Sequence, residues 1–270
     1  MEEVNSTLCI TSLCSTVLKL FGSEAFGGIE CENLMINALN GAKNGGRPID
    51  RAVIYNPDAV ALWLYMKYPY LFTGAALKSD IALPMLSVMP SVTPVCFASM
   101  YSGLMPDIHG IKRYTKPVLT VKTLFDYLPA TGRKAAIVST SGDSISMIFL
   151  ERNIDYFIYD TVDEVNKKAL ELIEKNSHDL IVIYNGNYDG TMHKTGPESP
   201  EALQALKDNV AFYSLMVDKI NESMKDNTVF YGFCPDHGCH EIDGGCGSHG
   251  LDMQEDMNII HFYGIKPAQQ

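Results

Sequence analysis

"DLIVIYNGNYDGTMHKTGP", residues 179–197, holds two messages in one run. Between Asp179 and Asn185 it is apolar throughout, with three β-branched residues, the pattern of a strand buried on both faces. Directly after that stretch comes a polar loop with Asp189 and His193 four residues apart, closed by Gly196 and Pro197. A buried strand that ends in an aspartate and a histidine is the usual layout of a site at the carboxyl edge of a parallel sheet.

The same layout recurs on either side. "RAVIYNP" (51–57) is a second buried-type strand, followed by Asp58. "TVFYGFC" (228–234) is a third, followed by "PDHG" with Asp236 and His237. "RKAAIVST" (133–140), "IDYFIYD" (154–160) and "NIIHFYG" (258–264) read as further strands. Between them lie helical stretches: "DAVALWLYMKYPYLF", "DSISMIFLERN", "VDEVNKKALELIEKN" with Val165, Ala169, Leu172 and Ile173 on one face, and "EALQALKDNVAFYSLMVDKINESM". Short apolar strands alternating with helices predict an α/β fold, a parallel-rich central sheet flanked by helices on both faces. "SLCSTVLKLFGSEAFGG" (12–28) reads as an amphipathic helix closed by glycine. The rest of residues 1–50 is weakly patterned.

Composition sets bounds. The chain has 270 residues, 46 % hydrophobic and 20 % charged, enough for one large domain spanning 1–270. With 21 Lys+Arg against 32 Asp+Glu, its formal charge of −11 argues against binding nucleic-acid polymers or membrane surfaces. An anionic small molecule is still admissible, because bound cations invert the local field. The N-terminus lacks the basic start and apolar run of a signal peptide, and no stretch reaches the roughly 18–20 apolar residues of a membrane span. Seven cysteines without a disulfide pattern fit a reducing, cytoplasmic setting.

Taken singly, each polar residue has an ordinary explanation. Asp58 is a turn or cap residue, Asp-x-x-x-His a surface loop, "DHG" a turn tripeptide, and "GSHG" (247–250) a flexible loop. Together Asp58, Asp189, His193, Asp236, His237 and His249 put three carboxylates and three imidazoles on one inferred edge. That is a donor set for two divalent ions of the zinc type. "PVCFASMYSG" then predicts a helix beginning beside Thr93. The hydroxyl of Thr93 reads either as a helix cap or, next to a metal, as a nucleophile. A Cys₃His knuckle from Cys234, Cys239, Cys246 and His249 lacks the Cys-x-x-Cys hook. His240 reads as a surface-loop residue or as a supporting residue close to the site, His261 as a core or edge residue, and Tyr184 and Tyr188 as pocket walls or sheet core.

In that order the motifs are similar to those of the alkaline phosphatase superfamily. Thr93 followed by "SGLMP" and "HGI", then "DGTMHKTGP", "PDHG" and "GSHG", most resemble the nucleotide pyrophosphatase/phosphodiesterase and phosphonoacetate hydrolase branches, over residues 51–264. The resemblance implies an alkaline phosphatase-like core without a large cap, any lid coming from segments 1–50 and 63–89. It implies one metal on Asp189, His193 and His249, and a second on Asp58, Asp236, His237 and Thr93. Zinc is the implied metal, with manganese used in a related branch. It further implies hydrolysis of a small phosphate ester or nucleotide-like molecule through a covalent phospho-threonine. Alternatives are a phosphomonoesterase, a C–P hydrolase, a phosphomutase and a metal-stabilised binding protein. One position departs from the pattern: where the phosphodiesterase branch has an asparagine on the phosphoryl oxygen, this chain has Tyr114, preceded by Lys112 and Arg113 as candidate anion contacts.

Overall fold

A computed structural model of the chain describes residues 8–23 and 33–269. Seven strands form one sheet: β1 Arg51–Pro57, β2 Ile81–Leu86, β3 Ala135–Thr140, β4 Asp155–Tyr159, β5 Leu180–Asn185, β6 Val229–Phe233 and, after a small hairpin of β7 His240–Ile242 and β8 Cys246–Ser248, β9 Asn258–Lys266. The order across the sheet is β2-β9-β6-β1-β5-β3-β4. β6, β1, β5, β3 and β4 pair in parallel; β9 runs antiparallel to β6 and to β2. The carboxyl ends of β6, β1, β5 and β3 therefore share one edge.

Alternation along the strands sorts the core into two layers. Ala52, Ile54, Leu180, Val182 and Tyr184 face one apolar layer, and Val53, Tyr55, Ile181 and Ile183 the other. The first layer is covered by helices Ser12–Leu20, Thr93–Ser102 and Leu124–Ala130. The second is covered by Val162–Lys175, Asn187–Thr195 and Pro200–Ser223. Val165, Ala169, Leu172 and Ile173 are the buried stripe of their helix, as the spacing predicts. This is the expected α/β sandwich, with its parallel-rich sheet covered on both faces.

Two expectations need correction, and one strand was not expected. The first helix stops at Leu20, with Gly22 at φ 74°, and is buried all round except at Lys19, so it is a core element and not amphipathic. The rest of that expected helix, past Ser23, lies outside the described residues. Segment 63–89 supplies no lid: it forms short helices whose Leu64, Phe72 and Ala75 sit in the second core layer, and then edge strand β2. β2 escapes a sequence reading because Pro84 interrupts it, a residue tolerated on an edge strand.

Candidate metal centre

Each site residue sits where a strand runs out. Asp58 follows β1, and its N–H donates to the Asn185 carbonyl at the end of β5, 3.0 Å. The next residue, Ala59, is fully buried in the left-handed region, φ 64°. A non-glycine residue held there costs of the order of 1–3 kcal/mol and needs tight surroundings. The turn brings the Ala59 N–H to 3.5 Å from Asp236 Oδ1, just past β6.

Asp189 and His193 lie on the helix Asn187–Thr195 and not on a loop. The helix explains their spacing, since residues four apart share a face. β8 is laid against that helix: a Cβ on Gly247 would fall 2.4 Å from Met192 Sδ and 2.8 Å from its carbonyl, so only glycine fits. This contact lets Gly247 accept from His193 Nδ1 at 2.9 Å and places His249 beside it.

The six predicted residues converge as two groups, Asp189/His193/His249 and Asp58/Asp236/His237, and neither of these groups found among the described residues contains a cysteine. In the first, His193 Nε2 is 3.2 Å and His249 Nε2 3.4 Å from Asp189 Oδ1, and the two Nε2 atoms are 3.2 Å apart. In the second, His237 Nε2 is 3.3 Å from Asp58 Oδ1 and 3.4 Å from Asp236 Oδ2. A tetrahedral site with bonds of about 2.0–2.1 Å has donor–donor edges of about 3.3–3.4 Å. The spacing fits such an ion.

Tautomers point the same way. Nδ1 of His193, His237 and His249 each lies 2.9–3.0 Å from a backbone carbonyl, of Gly247, Gly238 and Ser91. An Nδ1–H that donates to a carbonyl orients the ring and leaves Nε2 for a metal. Every Nε2 turns toward carboxylate oxygens, and Asp58 Oδ1, Asp189 Oδ1 and Asp236 Oδ2 are buried without a hydrogen-bond partner. Acceptors packed this closely require protons or cations among them.

The electrostatics say which groups would hold protons when no metal does. Burial, then the charge of Asp189, raises the Asp58 carboxyl to about 7. Burial, then Asp58, raises Asp236 well above the usual range. Burial holds His237 well below 6.5. Its close contact with the Asp189 carboxylate raises His193 to about 9. Burial pushes Asp189 up, but His193 and His249 outweigh it and hold the carboxyl well below the usual carboxylate range. Divalent ions would replace these protons.

Thr93 is the first residue of its helix, with Val92 as N-cap, and its hydroxyl makes no capping bond. The cap reading is thereby corrected. Thr93 Oγ1 instead lies 3.3 Å from Asp58 Oδ2 and 3.3 Å from His237 Nε2, with the residue 3 % exposed. Asp58 Oδ2 also accepts from the buried Tyr184 phenol. Tyr184 thus supports a site carboxylate, a role its apolar neighbours in the sequence conceal. Tyr188 is core, donating to the Pro197 carbonyl at 3.0 Å.

The expected anion contacts are less united. Tyr114 is 58 % exposed; partial burial, then the charges of Asp58 and Asp189, raises its phenol pKa. Lys112 pairs with Asp107 at 2.7 Å on the surface, and Arg113 is exposed without a site partner. Lys116, not singled out from sequence, lies over the Tyr114 ring at 5.3 Å and donates to the Gly142 carbonyl. At the ends of β3 and β5, Thr140, Asp143, Asn187, Thr191 and Lys194 line an open trough of about 380 Å³ that includes none of the six donors. His240 is not a surface residue: it is 9 % exposed and donates from Nδ1 to Asp256 at 2.7 Å. His261 is core, bonded to the Pro235 carbonyl at 2.7 Å.

The fold, a mostly parallel seven-stranded sheet between helical layers, is shared with solved phosphodiesterase and phosphonoacetate hydrolase structures. Human ectonucleotide pyrophosphatase/phosphodiesterase 5 is similar over 79 % of this chain and 87 % of its own, with TM-score 0.61 and 12 % identity. An inactive murine form of that protein, in complex with AMP, matches at TM-score 0.56 and 15 % identity over 72 % of this chain and 59 % of its own. Phosphonoacetate hydrolase from Sinorhizobium meliloti, in complex with phosphonoacetate, matches at 0.54 and 16 % over 74 % and 60 %. The chain thus spans about three fifths of the length of the latter two. No protein-family model and no curated protein sequence matches it. Among the described residues no helix is long and apolar enough to cross a membrane.

Proposed function

We propose that this chain is a two-metal hydrolase of small phosphoric esters, of phosphodiesterase or nucleotide pyrophosphatase type, with Thr93 as nucleophile. Asp189, His193 and His249 would hold one ion; Asp58, Asp236, His237 and Thr93 Oγ1 would hold the other, zinc being the best match to the N/O donors. When bound, the ions supply Lewis acidity, lowering the proton affinity of hydroxyl and water and offsetting phosphate charge. The observation that carries this reading is the place of the Thr93 hydroxyl: at a helix start, free of capping duty, and 3.3 Å from both Asp58 and His237.

Thr93 Oγ1 gives up its proton and forms a bond to phosphorus as the bond to the leaving oxygen breaks; the leaving alcohol takes a proton. Water then attacks phosphorus, the threonine–oxygen–phosphorus link breaks, and Thr93 regains its proton. Tyr114, its phenol protonated at neutral pH, would donate to a phosphoryl oxygen. Lys112 and Arg113 add positive potential at most, which favours a singly charged diester over a dianionic monoester.

The test is direct. Zinc-loaded protein is offered bis-p-nitrophenyl phosphate, p-nitrophenyl phosphate, a dinucleotide panel and phosphonoacetate, and quenched protein is analysed by mass for a phosphoryl adduct on the peptide containing Thr93. Faster turnover of the diester with that adduct is expected. A monoester preference would reverse the substrate assignment, and turnover without any adduct would remove Thr93 as nucleophile.

A further inference from the structure

His237 and His249 reach the site from one excursion of the chain, between β6 and β9, and each belongs to a different donor group. An excursion of this kind has little apolar packing of its own: its hairpin turn, Glu241–Gly245, is exposed. Something must fix its two ends relative to each other. Asp256 does so at three points. It is fully buried. Its Oδ1 accepts from His240 Nδ1 at 2.7 Å, three residues past His237. Its Oδ2 accepts from the Leu251 N–H at 2.9 Å, two residues past His249. Its backbone carbonyl accepts from the Gly238 N–H at 2.7 Å, directly after His237.

The approach at Gly238 is too close for any side chain, since a Cβ there would lie 2.0 Å from the Glu255 carbonyl oxygen. β7 and β8 close the remaining gap, with His240 paired opposite Ser248, the neighbour of His249. One buried carboxylate thus ties the strand leaving His237 to the strand leaving His249, and His240 fills its second oxygen.

We infer that Asp256 and His240 are a positioning pair that sets the spacing of the two metal sites by clamping the segment that supplies one histidine to each. The inference rests on the two-metal reading but concerns residues outside both donor groups. Buried carboxylates that orient a site through hydrogen bonds change metal affinity when altered, typically by about 10–100-fold.

Asp256→Asn keeps the size and the backbone carbonyl but removes the charge that accepts from both His240 and Leu251. His240→Ala removes one arm, and His240→Gln restores a donor. A second His–Asp pair serves as control: His178 and Asp155, 2.8 Å apart, at the start of β4 and so at the opposite edge of the sheet. Cobalt(II) is the probe, its affinity and stoichiometry measured by chelator competition and its coordination by visible absorption, alongside melting temperature.

Asp256→Asn and His240→Ala should bind cobalt about 10–100-fold more weakly and alter its spectrum, with His240→Gln intermediate. Asp155→Asn should move only the melting temperature. Wild-type cobalt affinity and spectrum in Asp256→Asn, or in His240→Ala if the former does not fold, would overturn the inference while leaving the metal reading intact. A wild-type chain that takes up no cobalt would overturn both.

Discussion

The rings of His237 and His249 stack with centroids 4.0 Å apart and planes at 26°, yet each belongs to a different donor group. The two candidate ions are therefore neighbours through a shared wall. Losing one histidine alters the group that orients the other. His249→Ala should lose one equivalent of zinc per chain and also weaken the second, by about tenfold, where independent sites would leave it unchanged. Metal content after dialysis against graded chelator distinguishes the two.

Tyr184 should matter to the metal more than to the fold. Its phenol occupies Asp58 Oδ2 and leaves Oδ1 to face His237. Tyr184→Phe keeps the aromatic packing against Phe97 and removes only the hydroxyl. Metal affinity at that site should fall by about 10–100-fold, as for other groups that orient a ligand. A zinc titration at wild-type affinity would return Tyr184 to the core.

The metal-free protein should lose stability as pH rises. His193 holds its proton to about 9 against an ordinary 6.5, and Asp58 to about 7 against 3.8. In both cases the folded state keeps a proton that the unfolded chain has released. The stabilisation is full below each unfolded value and is lost as pH climbs through the folded one. The depressed carboxyl of Asp189 acts the other way, but only below the ordinary aspartate range. His237, held well below 6.5 by burial, also acts the other way up to that value, so chelator-treated protein should melt at progressively lower temperature from about pH 7 to about pH 9, whereas zinc-loaded protein should gain stability as its ligands deprotonate. Parallel curves for the two forms would contradict the proton–metal exchange.

Tyr114 should assist turnover modestly. Removing one fixed donor to a developing oxyanion costs about 10²–10³ in rate when that donor is enclosed. Tyr114 is 58 % exposed, so Tyr114→Phe should cost about tenfold, mainly in kcat. Unchanged kinetics would leave Tyr114 only its surface contact with Lys116.

What the sequence made legible follows from chemistry that is local. Five of the six donors follow β1, β5 or β6 in the chain, and buried strands such as 180–185 announce themselves by apolar runs. The helix under Asp189 did not, because Gly190 and the polar run around it lower its helical signature, and its stability comes from Tyr188 and Met192 in the core. Asp256 and Tyr184 were illegible as site supports for a different reason: their partners, Leu251 apart, lie 16 and 126 residues away. Long-range hydrogen bonds leave no periodic trace. Strand β2 was hidden because an edge strand interrupted by proline resembles a loop.

Thr93 separates a nucleophile from a packing residue. Val92, not Thr93, is the cap, so replacing the threonine should cost less than the ~1 kcal/mol of a lost cap. Its hydroxyl contacts only site groups, Asp58 and His237. Thr93→Val keeps the branched shape in a position 3 % exposed and deletes the oxygen. Thr93→Ser keeps the oxygen and deletes a methyl. If the oxygen is the nucleophile, the valine variant should fold, load metal and lose turnover by several orders of magnitude, while the serine variant retains measurable activity. Thr93→Ala should match valine in rate, because both lack the oxygen, and differ from it only in melting temperature. Turnover, metal content and melting temperature are to be measured on the same preparations. A valine variant that binds zinc normally and turns over near the wild-type rate would mean that water attacks phosphorus directly, and the hydroxyl of Thr93 would then be no more than a neighbour of the metal.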